Sequence, residues 1–312
     1  MEKSAELIAL EEKYGAHNYH PLPVVLEKGE GVYVWDVDGK KYFDFLSAYS
    51  AVNQGHCHPR IINKLKEQAE KLTLTSRAFY NAELGVYEKF MSELFGFDKI
   101  LPMNTGAEAV ETALKIARKW GYEKKGIPAG EAILVVCKDN FHGRTTTIIS
   151  FSNDEDARKN FNPYTSGFEA VEYNDVNALK QLFEEKADKI CGFLVEPIQG
   201  EAGVNVPSEG YLKACEELCK QHNVLFIADE IQTGIARTGK MLAIDHENIN
   251  ADVLILGKAV SGGVYPVSAV LANDDVMNVI KPGQHGSTYG GNPLAAAVAM
   301  EALQVVLDEK LA

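Results

Sequence analysis

The sequence predicts an α/β fold in which a mainly parallel central sheet is flanked by helices. Short apolar runs alternate with amphipathic stretches from about residue 100 onward, and those runs are apolar almost throughout rather than at every second position. Strands buried on both faces have this composition, and the helices between them make the crossovers that parallel strands need. The strands are expected at 132–137, 190–195, 224–228, 252–256 and 267–271.

A β-hairpin and several helices are predicted around this sheet. Residues 32–45 alternate apolar and polar side chains around Asp38-Gly39, a dipeptide that is favoured in tight hairpin turns. Pro59 begins a helix whose apolar residues recur with helical spacing. Further helices are expected at 106–120, 175–187 and 209–221, and another begins at Asn292-Pro293.

Composition and charge exclude several classes of partner. The chain has 312 residues, 46% of them hydrophobic, and a net charge of −13, which disfavours nucleic acid and anionic membranes as partners. It contains no apolar run of about 18 residues, so no transmembrane helix is expected. The cluster His56-Cys57-His58 has no matched partner elsewhere in the sequence, so we expect a turn there and no metal site.

The two ends of the chain bear on location and domain organisation. The N-terminus is acidic and lacks a signal-peptide core, so a cytoplasmic location is expected, or the mitochondrial matrix if a transit peptide was removed. We expect an N-terminal segment with the hairpin at 1–49 and a large domain at 50–312. The last helix runs toward Ala312 without a following glycine, so a C-terminal domain is expected to be absent from this chain.

Lys258 and Asp229 are the strongest candidates for chemistry. Lys258 follows the apolar run 253–256 and Gly257, and Asp229 directly follows the run 224–228. Burial lowers the pKa of a lysine because the ammonium loses hydration, so the amine becomes nucleophilic near neutral pH. An amine and an acid beyond the ends of two core strands indicate a pyridoxal 5'-phosphate site, with the lysine on the aldehyde and the carboxylate on the ring nitrogen.

The start of the helix at 106–120 has two compatible interpretations. Free backbone amides at a helix start, with Gly106 allowing close approach, form an anion site that suits a phosphate. Thr105 and Glu108 also have the spacing of a capping box. The pyridoxal phosphate site predicted beside them favours the phosphate.

Five other residues could complete such a site, and each has a plainer alternative. Phe141 could stack on a cofactor ring or pack within its loop. Arg144 could bind a substrate carboxylate or form a surface salt bridge. Gln232 could reach a phenolic oxygen or be an ordinary polar loop residue. Ser287 and Thr288 could hold a phosphate or simply belong to a glycine-rich loop.

At these positions the sequence resembles the class III aminotransferases, which have the fold type I architecture and use pyridoxal phosphate. The resemblance covers nearly the whole chain. Tyr19 together with the stretch 47–50 points to the branch of the family that acts on ornithine. The segments that carry it are YGAHNYHPLP (14–23), SAVNQGH (50–56), LTSRAFY (74–80), VEPIQGE (195–201), DEIQTG (229–234) and Gly257-Lys258.

The resemblance assigns a role to each candidate residue around the cofactor. Lys258 would carry the cofactor, Asp229 would pair with its ring nitrogen, and Gln232 would contact its phenolic oxygen. Phe141 would cover a ring face. The phosphate would be bound by the backbone amides of Gly106 and Ala107 and, from the neighbouring subunit of a homodimer, by the Ser287-Thr288 stretch through Thr288.

The same resemblance implies how the substrates bind. Tyr19 and Arg144 would hold the α-carboxylate of L-ornithine, and Tyr49 would line the pocket from across the dimer. Glu201 would mask an arginine that later binds 2-oxoglutarate, but that arginine belongs to the small domain expected to be absent. His142 stands where an aromatic residue is common in the family, which implies an altered pocket. Sibling enzymes acting on acetylornithine or 4-aminobutyrate, and a non-catalytic dimerising fragment, are the alternatives.

Overall fold

A helix and a small antiparallel sheet form the N-terminal part of the chain in the computed structural model, which describes residues 2–312. The predicted hairpin is confirmed as β2 and β3, and β1 adds a strand that the sequence pattern did not reveal. At its turn, the side chain of Asp36 accepts hydrogen bonds from the backbone of Asp38 and Lys40 at 3.0 and 2.8 Å. The elements are α1 (Glu2–Tyr14), β1 (Leu26–Glu30), β2 (Tyr33–Asp36) and β3 (Lys41–Phe43).

A seven-stranded mixed sheet forms the centre of the molecule, in the order β4-β10-β9-β8-β7-β5-β6. Strands β5 to β9 run parallel to one another, whereas β10 is antiparallel to both β4 and β9. All five predicted strands are present, and β4 and β6 were not predicted. The strands are β4 (Lys99–Met103), β5 (Ile133–Cys137), β6 (Phe168–Val171), β7 (Ile190–Val195), β8 (Leu225–Asp229), β9 (Val253–Leu256) and β10 (Ser268–Ala272).

Helices cover both faces of this sheet. Each predicted helix is present within two residues of its expected bounds, whereas α1 and α3 were not predicted. None of the helices within residues 2–312 combines the length and apolar character that a membrane crossing requires. The remaining long helices are α2 (Pro59–Ala69), α3 (Leu84–Phe95), α4 (Gly106–Trp120), α5 (Val176–Lys186), α6 (Tyr211–Gln221) and α7 (Pro293–Asp308).

Two apolar layers lie on opposite faces of the sheet. Along β7, Phe193 belongs to the layer that contains α5, α6 and α7, whereas its neighbour Leu194 belongs to the layer that contains α4. Successive residues of a strand point to opposite faces, so a strand covered on both sides must be apolar throughout. This is why the continuous apolar runs in the sequence were informative.

The parallel strands bring their carboxyl ends to one edge of the sheet. Strands β5, β7, β8 and β9 all point toward this edge, and the residues that follow them therefore come together. Those residues include Phe141, Glu196, Asp229 and Lys258.

Candidate active site

A single cavity at this edge gathers six of the residues predicted from the sequence. It is also lined by His142, Glu196 and Ile231. The cavity therefore places an amine, several acids, an aromatic ring and a helix start around one space. The predicted residues in its lining are Gly106, Ala107, Phe141, Asp229, Gln232 and Lys258.

Lys258 begins a short 3₁₀ turn, Lys258–Ser261, directly after β9 and Gly257. Its backbone φ is +46°, a left-handed conformation that a side chain with a Cβ rarely adopts and that often occurs at functional sites. Burial lowers the pKa of Lys258, although the negative charges of Glu201, Asp229 and Glu196 oppose the change. The net effect makes the neutral amine more available.

Asp229 ends β8 with its carboxylate almost completely buried. Oδ1 accepts a hydrogen bond from the backbone N–H of Ile231 at 3.1 Å, and Oδ2 lies 2.6 Å from Nδ1 of His142. A buried carboxylate is stable only when its oxygens are hydrogen-bonded or paired with a cation, and both conditions are met here.

His142 is a site residue whose partner could not be foreseen from the sequence. Its side chain is inaccessible to solvent, and Nε2 has no hydrogen-bond partner within residues 2–312. Burial lowers the pKa of His142, but the hydrogen bond and the charge of Asp229 outweigh it and raise the pKa overall. The sequence placed it beside Phe141, shortly after the end of β5, and the resemblance marked it as a departure from the family's usual aromatic residue.

Glu196 is a second site residue that sequence reasoning did not single out. It directly follows β7, is buried, and accepts a hydrogen bond at Oε2 from the backbone N–H of Phe141 at 2.9 Å. Burial raises the pKa of Glu196 to about 7, because desolvation outweighs the opposing charge of His142. An acidic residue immediately after a fully buried parallel strand was the signal that could have identified it.

The start of α4 has the capping box predicted for it. Thr105 Oγ1 accepts the backbone N–H of Glu108 at 3.2 Å, and Glu108 Oε2 accepts the backbone N–H of Thr105 at 2.8 Å. Gly106 and Ala107 line the cavity beside it. A Cβ on Gly106 would lie 3.0 Å from Cδ1 of Ile231, so the glycine permits a close approach. Capping is confirmed, and a phosphate remains compatible with it.

Gln232 and Glu201 form a hydrogen-bonded pair at the edge of the cavity. Gln232 Nε2 donates to Glu201 Oε1 at 2.8 Å. A Cβ at Gly200 would lie only 1.8 Å from Gln232 Oε1, so any other residue there would displace the amide. Glu201 itself is exposed and reaches the cavity through Gln232.

All four predicted substrate-binding residues, Glu201 included, lie outside the cavity lining. Tyr19 and Tyr49 are 66% and 59% exposed, so neither is held in the interior of its own chain. Arg144 is also exposed, with its guanidinium carbon 5.8 Å from the ring centre of Phe141, which places it beside the cavity.

Ser287 and Thr288 line a different depression, together with residues 74–77. Asn104 Nδ2 donates to Ser287 Oγ at 2.9 Å, which ties this loop to the start of α4.

The segment His56-Cys57-His58 forms a turn before α2, as expected. His56 Nε2 lies 2.6 Å from Asp44 Oδ2, and His58 Nε2 lies 3.0 Å from Glu309 Oε1. Within residues 2–312 there is no group of three or more side chains that could hold a metal ion.

The residues of the cavity fit pyridoxal 5'-phosphate. A half-buried lysine is available for the aldehyde, the buried Asp229 for a protonated ring nitrogen, and Phe141 for a ring face. The helix start at Gly106 offers backbone amides to the phosphate. The donor set therefore matches each chemical group of this cofactor.

The fold and this donor set define a pyridoxal-phosphate-dependent enzyme. The chain belongs to the class-III aminotransferase family, whose sequence pattern matches residues 14–312. It is therefore a pyridoxal-phosphate-dependent aminotransferase.

Relatives of known name cover almost all of the chain. It is 63% identical to the mitochondrial ornithine aminotransferase of Drosophila melanogaster, over 99% of this chain and 72% of the relative. It is 60% identical to the mitochondrial ornithine aminotransferase of Rattus norvegicus, over 97% of this chain and 68% of the relative.

Solved structures confirm the predicted fold type I architecture. The ornithine aminotransferase of Toxoplasma gondii has a TM-score of 0.97 and 54% identity, over 98% of this chain and 72% of that one. The acetylornithine aminotransferase of Elizabethkingia anophelis has a TM-score of 0.89 and 63% identity, over 98% of this chain and 74% of that one.

Proposed function

We propose that this chain is an ornithine δ-aminotransferase. It would move the distal amino group of L-ornithine to 2-oxoglutarate, giving glutamate 5-semialdehyde and glutamate. The observation that carries the proposal is a cavity containing Lys258 and Asp229 in a chain 63% identical to a named ornithine aminotransferase.

Lys258 performs the proton transfer. When bound, pyridoxal 5'-phosphate supplies an aldehyde that links covalently to an amine and a ring that accepts electrons from the substrate carbon. Lys258 Nζ, whose pKa is lowered by burial, takes the proton from the substrate carbon that bears the distal amine. A permanently charged ammonium could not accept this proton.

Asp229 and its neighbours orient the cofactor. Asp229 holds a proton on the ring nitrogen, and His142 Nδ1, 2.6 Å from Oδ2, fixes the carboxylate for this task. Gln232 would contact the phenolic oxygen and Phe141 would cover one ring face. The backbone amides at the start of α4 bind the phosphate.

The substrate-binding residues imply a homodimer. Tyr49 and Thr288 are exposed and do not line the cavity of their own chain, so each is available to the cavity of a second copy. Tyr19 and Arg144 hold the α-carboxylate of ornithine, which directs the distal amine toward Lys258. Glu201, which here accepts a hydrogen bond from Gln232, would mask the arginine that binds 2-oxoglutarate, and no residue of this chain is assigned to that arginine.

The domain organisation remains our prediction, with residues 1–49 as the N-terminal segment and residues 50–312 as the large cofactor-binding domain. The chain spans 72% of the Drosophila melanogaster relative.

For location we propose the cytoplasm or the mitochondrial matrix. Several relatives are named mitochondrial, whereas the Schizosaccharomyces pombe relative is named without a compartment. Subcellular fractionation of the source cells distinguishes the two.

Acetylornithine is the second candidate donor, because the chain is also 63% identical to a solved acetylornithine aminotransferase. The two donors differ at the α-amino group, which is acetylated in one and charged in the other. A substrate comparison therefore separates them.

The test is turnover by purified protein loaded with pyridoxal phosphate. L-ornithine, N-acetylornithine and 4-aminobutyrate are each supplied with 2-oxoglutarate, and glutamate is measured. We expect the highest kcat/KM with L-ornithine, together with a shift in cofactor absorbance when the donor is added alone. A higher kcat/KM with N-acetylornithine would instead identify N-acetylornithine as the amino donor. Bound cofactor without any turnover would support a non-catalytic fragment.

A further inference from the structure

The turn Ser47–Ser50 has an unusual backbone. All four of its residues have positive φ, at 52°, 46°, 58° and 72°, and none is glycine. In this conformation the Cβ of an L-residue crowds the following carbonyl oxygen, so every one of these residues is unfavourable. Such strain persists only where surrounding contacts hold it, and it is frequent at binding sites. The turn carries Tyr49, which is 59% exposed.

Asp44 holds the N-terminal side of this turn. Its Oδ1 accepts hydrogen bonds from the backbone N–H of Leu46 at 3.0 Å and of Ser47 at 2.9 Å. Its Oδ2 lies 2.6 Å from Nε2 of His56, which fixes the carboxylate.

Arg237 holds the turn from the other side. Its Nη2 donates both to Ser47 Oγ, at 2.9 Å, and to Asn53 Oδ1, so one nitrogen spans the turn. Asn53 Nδ2 in turn donates to the backbone oxygen of Ile235 at 2.8 Å. Both acceptors of Arg237 are uncharged, and burial lowers the pKa of its guanidinium. This arginine therefore contributes geometry to the turn rather than an ion pair.

The clamped turn lies against both segments that carry the cofactor-binding pair. Ile235 follows Asp229 by six residues and is itself left-handed, with φ of 56°. Gln54 Nε2 donates to the backbone oxygen of Ala259, the residue after Lys258, at 3.0 Å. The turn is thus tied to the Asp229 and Lys258 segments of its own chain, and from this fixed position it presents Tyr49 to the cavity of the second copy.

We propose that Arg237 is a positioning residue for the amino donor, acting by locking the strained turn so that Tyr49 is presented in one orientation. The inference deepens the proposed function and rests on it. Arg237 is not among the residues that line the cavity, so we expect its replacement to change donor binding rather than proton transfer.

The experiment compares Arg237→Ala and Arg237→Lys with Lys240→Ala, which removes an exposed cation from the same loop. In the cofactor-loaded enzyme, we expect Arg237→Ala to raise KM for the donor about tenfold and to change kcat less than about threefold. Arg237→Lys should recover only part of the loss, because an ammonium lacks the planar fork. Lys240→Ala should behave as the unaltered protein does.

Two further measurements separate the clamp from a general loss of stability. Amide hydrogen exchange should accelerate in residues 44–53 of Arg237→Ala while the central sheet keeps its protection. Combining Arg237→Ala with Tyr49→Ala should raise KM by less than the product of the two single effects, because both changes remove one interaction.

Unaltered exchange at 44–53, or multiplicative effects in the double variant, would overturn the proposal. If Arg237→Ala does not fold, Ser47→Ala removes one acceptor and is judged by the same exchange and KM criteria. If the enzyme rejects ornithine, the proposed function fails by itself. The KM comparison then uses the donor that the enzyme accepts, and the exchange comparison is unaffected.

Discussion

His142 Nδ1 lies 2.6 Å from Asp229 Oδ2, and the two side chains are almost completely shielded from water. Breaking a buried pair by removing one partner is costly because the other charge stays behind without compensation. The raised pKa of His142, caused by the hydrogen bond and charge of Asp229 against the opposing effect of burial, shows that the folded protein favours the protonated imidazole.

Replacing this histidine tests the pair. We expect His142→Phe to lower the free energy of unfolding by roughly 3 kcal/mol near pH 6, because Asp229 loses its buried partner. We also expect kcat to fall about tenfold or more with little change in KM. Denaturant titration and steady-state kinetics measure these effects. His222→Phe is the matched control, since that ring also packs against an aromatic side chain, Phe183. Equal losses in both variants would contradict a special role for His142.

The pair also gives a pH dependence with a defined sign. The pKa of His142 is raised in the folded protein, so its stabilisation is complete below the ordinary histidine pKa and is lost as pH rises through the raised value. The corresponding loss of folding stability with rising pH should be absent in His142→Phe.

Lys258 should be the only lysine that carries the cofactor. Lys258→Ala is expected to lower kcat about a thousandfold, because the proton acceptor is removed. Borohydride reduction of the loaded enzyme followed by peptide mapping should find the cofactor on the peptide that contains Lys258. Lys240→Ala should keep both activity and labelling. Labelling of another lysine in the unaltered protein would refute the assignment.

We expect the ionisation of Glu196 to lower the free energy of unfolding as pH rises. Burial raises its folded pKa to about 7, so its protonated form stabilises the fold below the ordinary glutamate pKa, and this contribution is lost as pH rises toward about 7. Glu196→Gln keeps an acceptor for the backbone N–H of Phe141 and should be more stable than the unaltered protein at pH 8, by roughly 1–3 kcal/mol.

Thermal or urea unfolding at pH 5 and pH 8 measures this difference. Glu230, whose pKa burial also raises to about 7, remains in the variant and should leave part of the pH dependence in place. The decisive quantity is the difference in free energy of unfolding between Glu196→Gln and the unaltered protein. If this difference is no larger at pH 8 than at pH 5, Glu196 does not become a buried charge.

Tyr19 should discriminate between donors through the α-carboxylate. Tyr19→Phe removes one hydrogen-bond donor and should lower kcat/KM for L-ornithine about tenfold, and much less for 4-aminobutyrate, which has no α-carboxylate. Steady-state kinetics with both donors provides the comparison. An equal loss on the two donors would remove the basis for assigning Tyr19 to this role.

The interior of the fold was predictable because strands covered on both faces leave continuous apolar runs. The two strands of the seven-stranded sheet that were missed lie at its edges. Lys99–Met103 contains Pro102, which is tolerated in an edge strand but argues against a central one. Phe168–Val171 carries Glu169 and is only partly buried, so it lacks an apolar run of useful length.

The site was predictable to the extent that its residues follow strands. Lys258 and Asp229 end apolar runs, and the parallel arrangement brings them to one edge. The pairing of His142 with Asp229 joins residues 87 positions apart, and the clamp of Arg237 on Ser47 joins residues 190 apart. Such contacts depend on side-chain packing across the folded molecule, which no local pattern encodes.

Gly200 leaves room for the hydrogen bond between Gln232 and Glu201. The amide of Gln232 occupies the volume that even a methyl group at position 200 would need. Laboratory evolution toward other donors that randomises this loop would therefore reorient Gln232 in every member that carries a side chain at position 200. A designer who wants to keep the contact between Gln232 and Glu201 should leave this glycine unchanged.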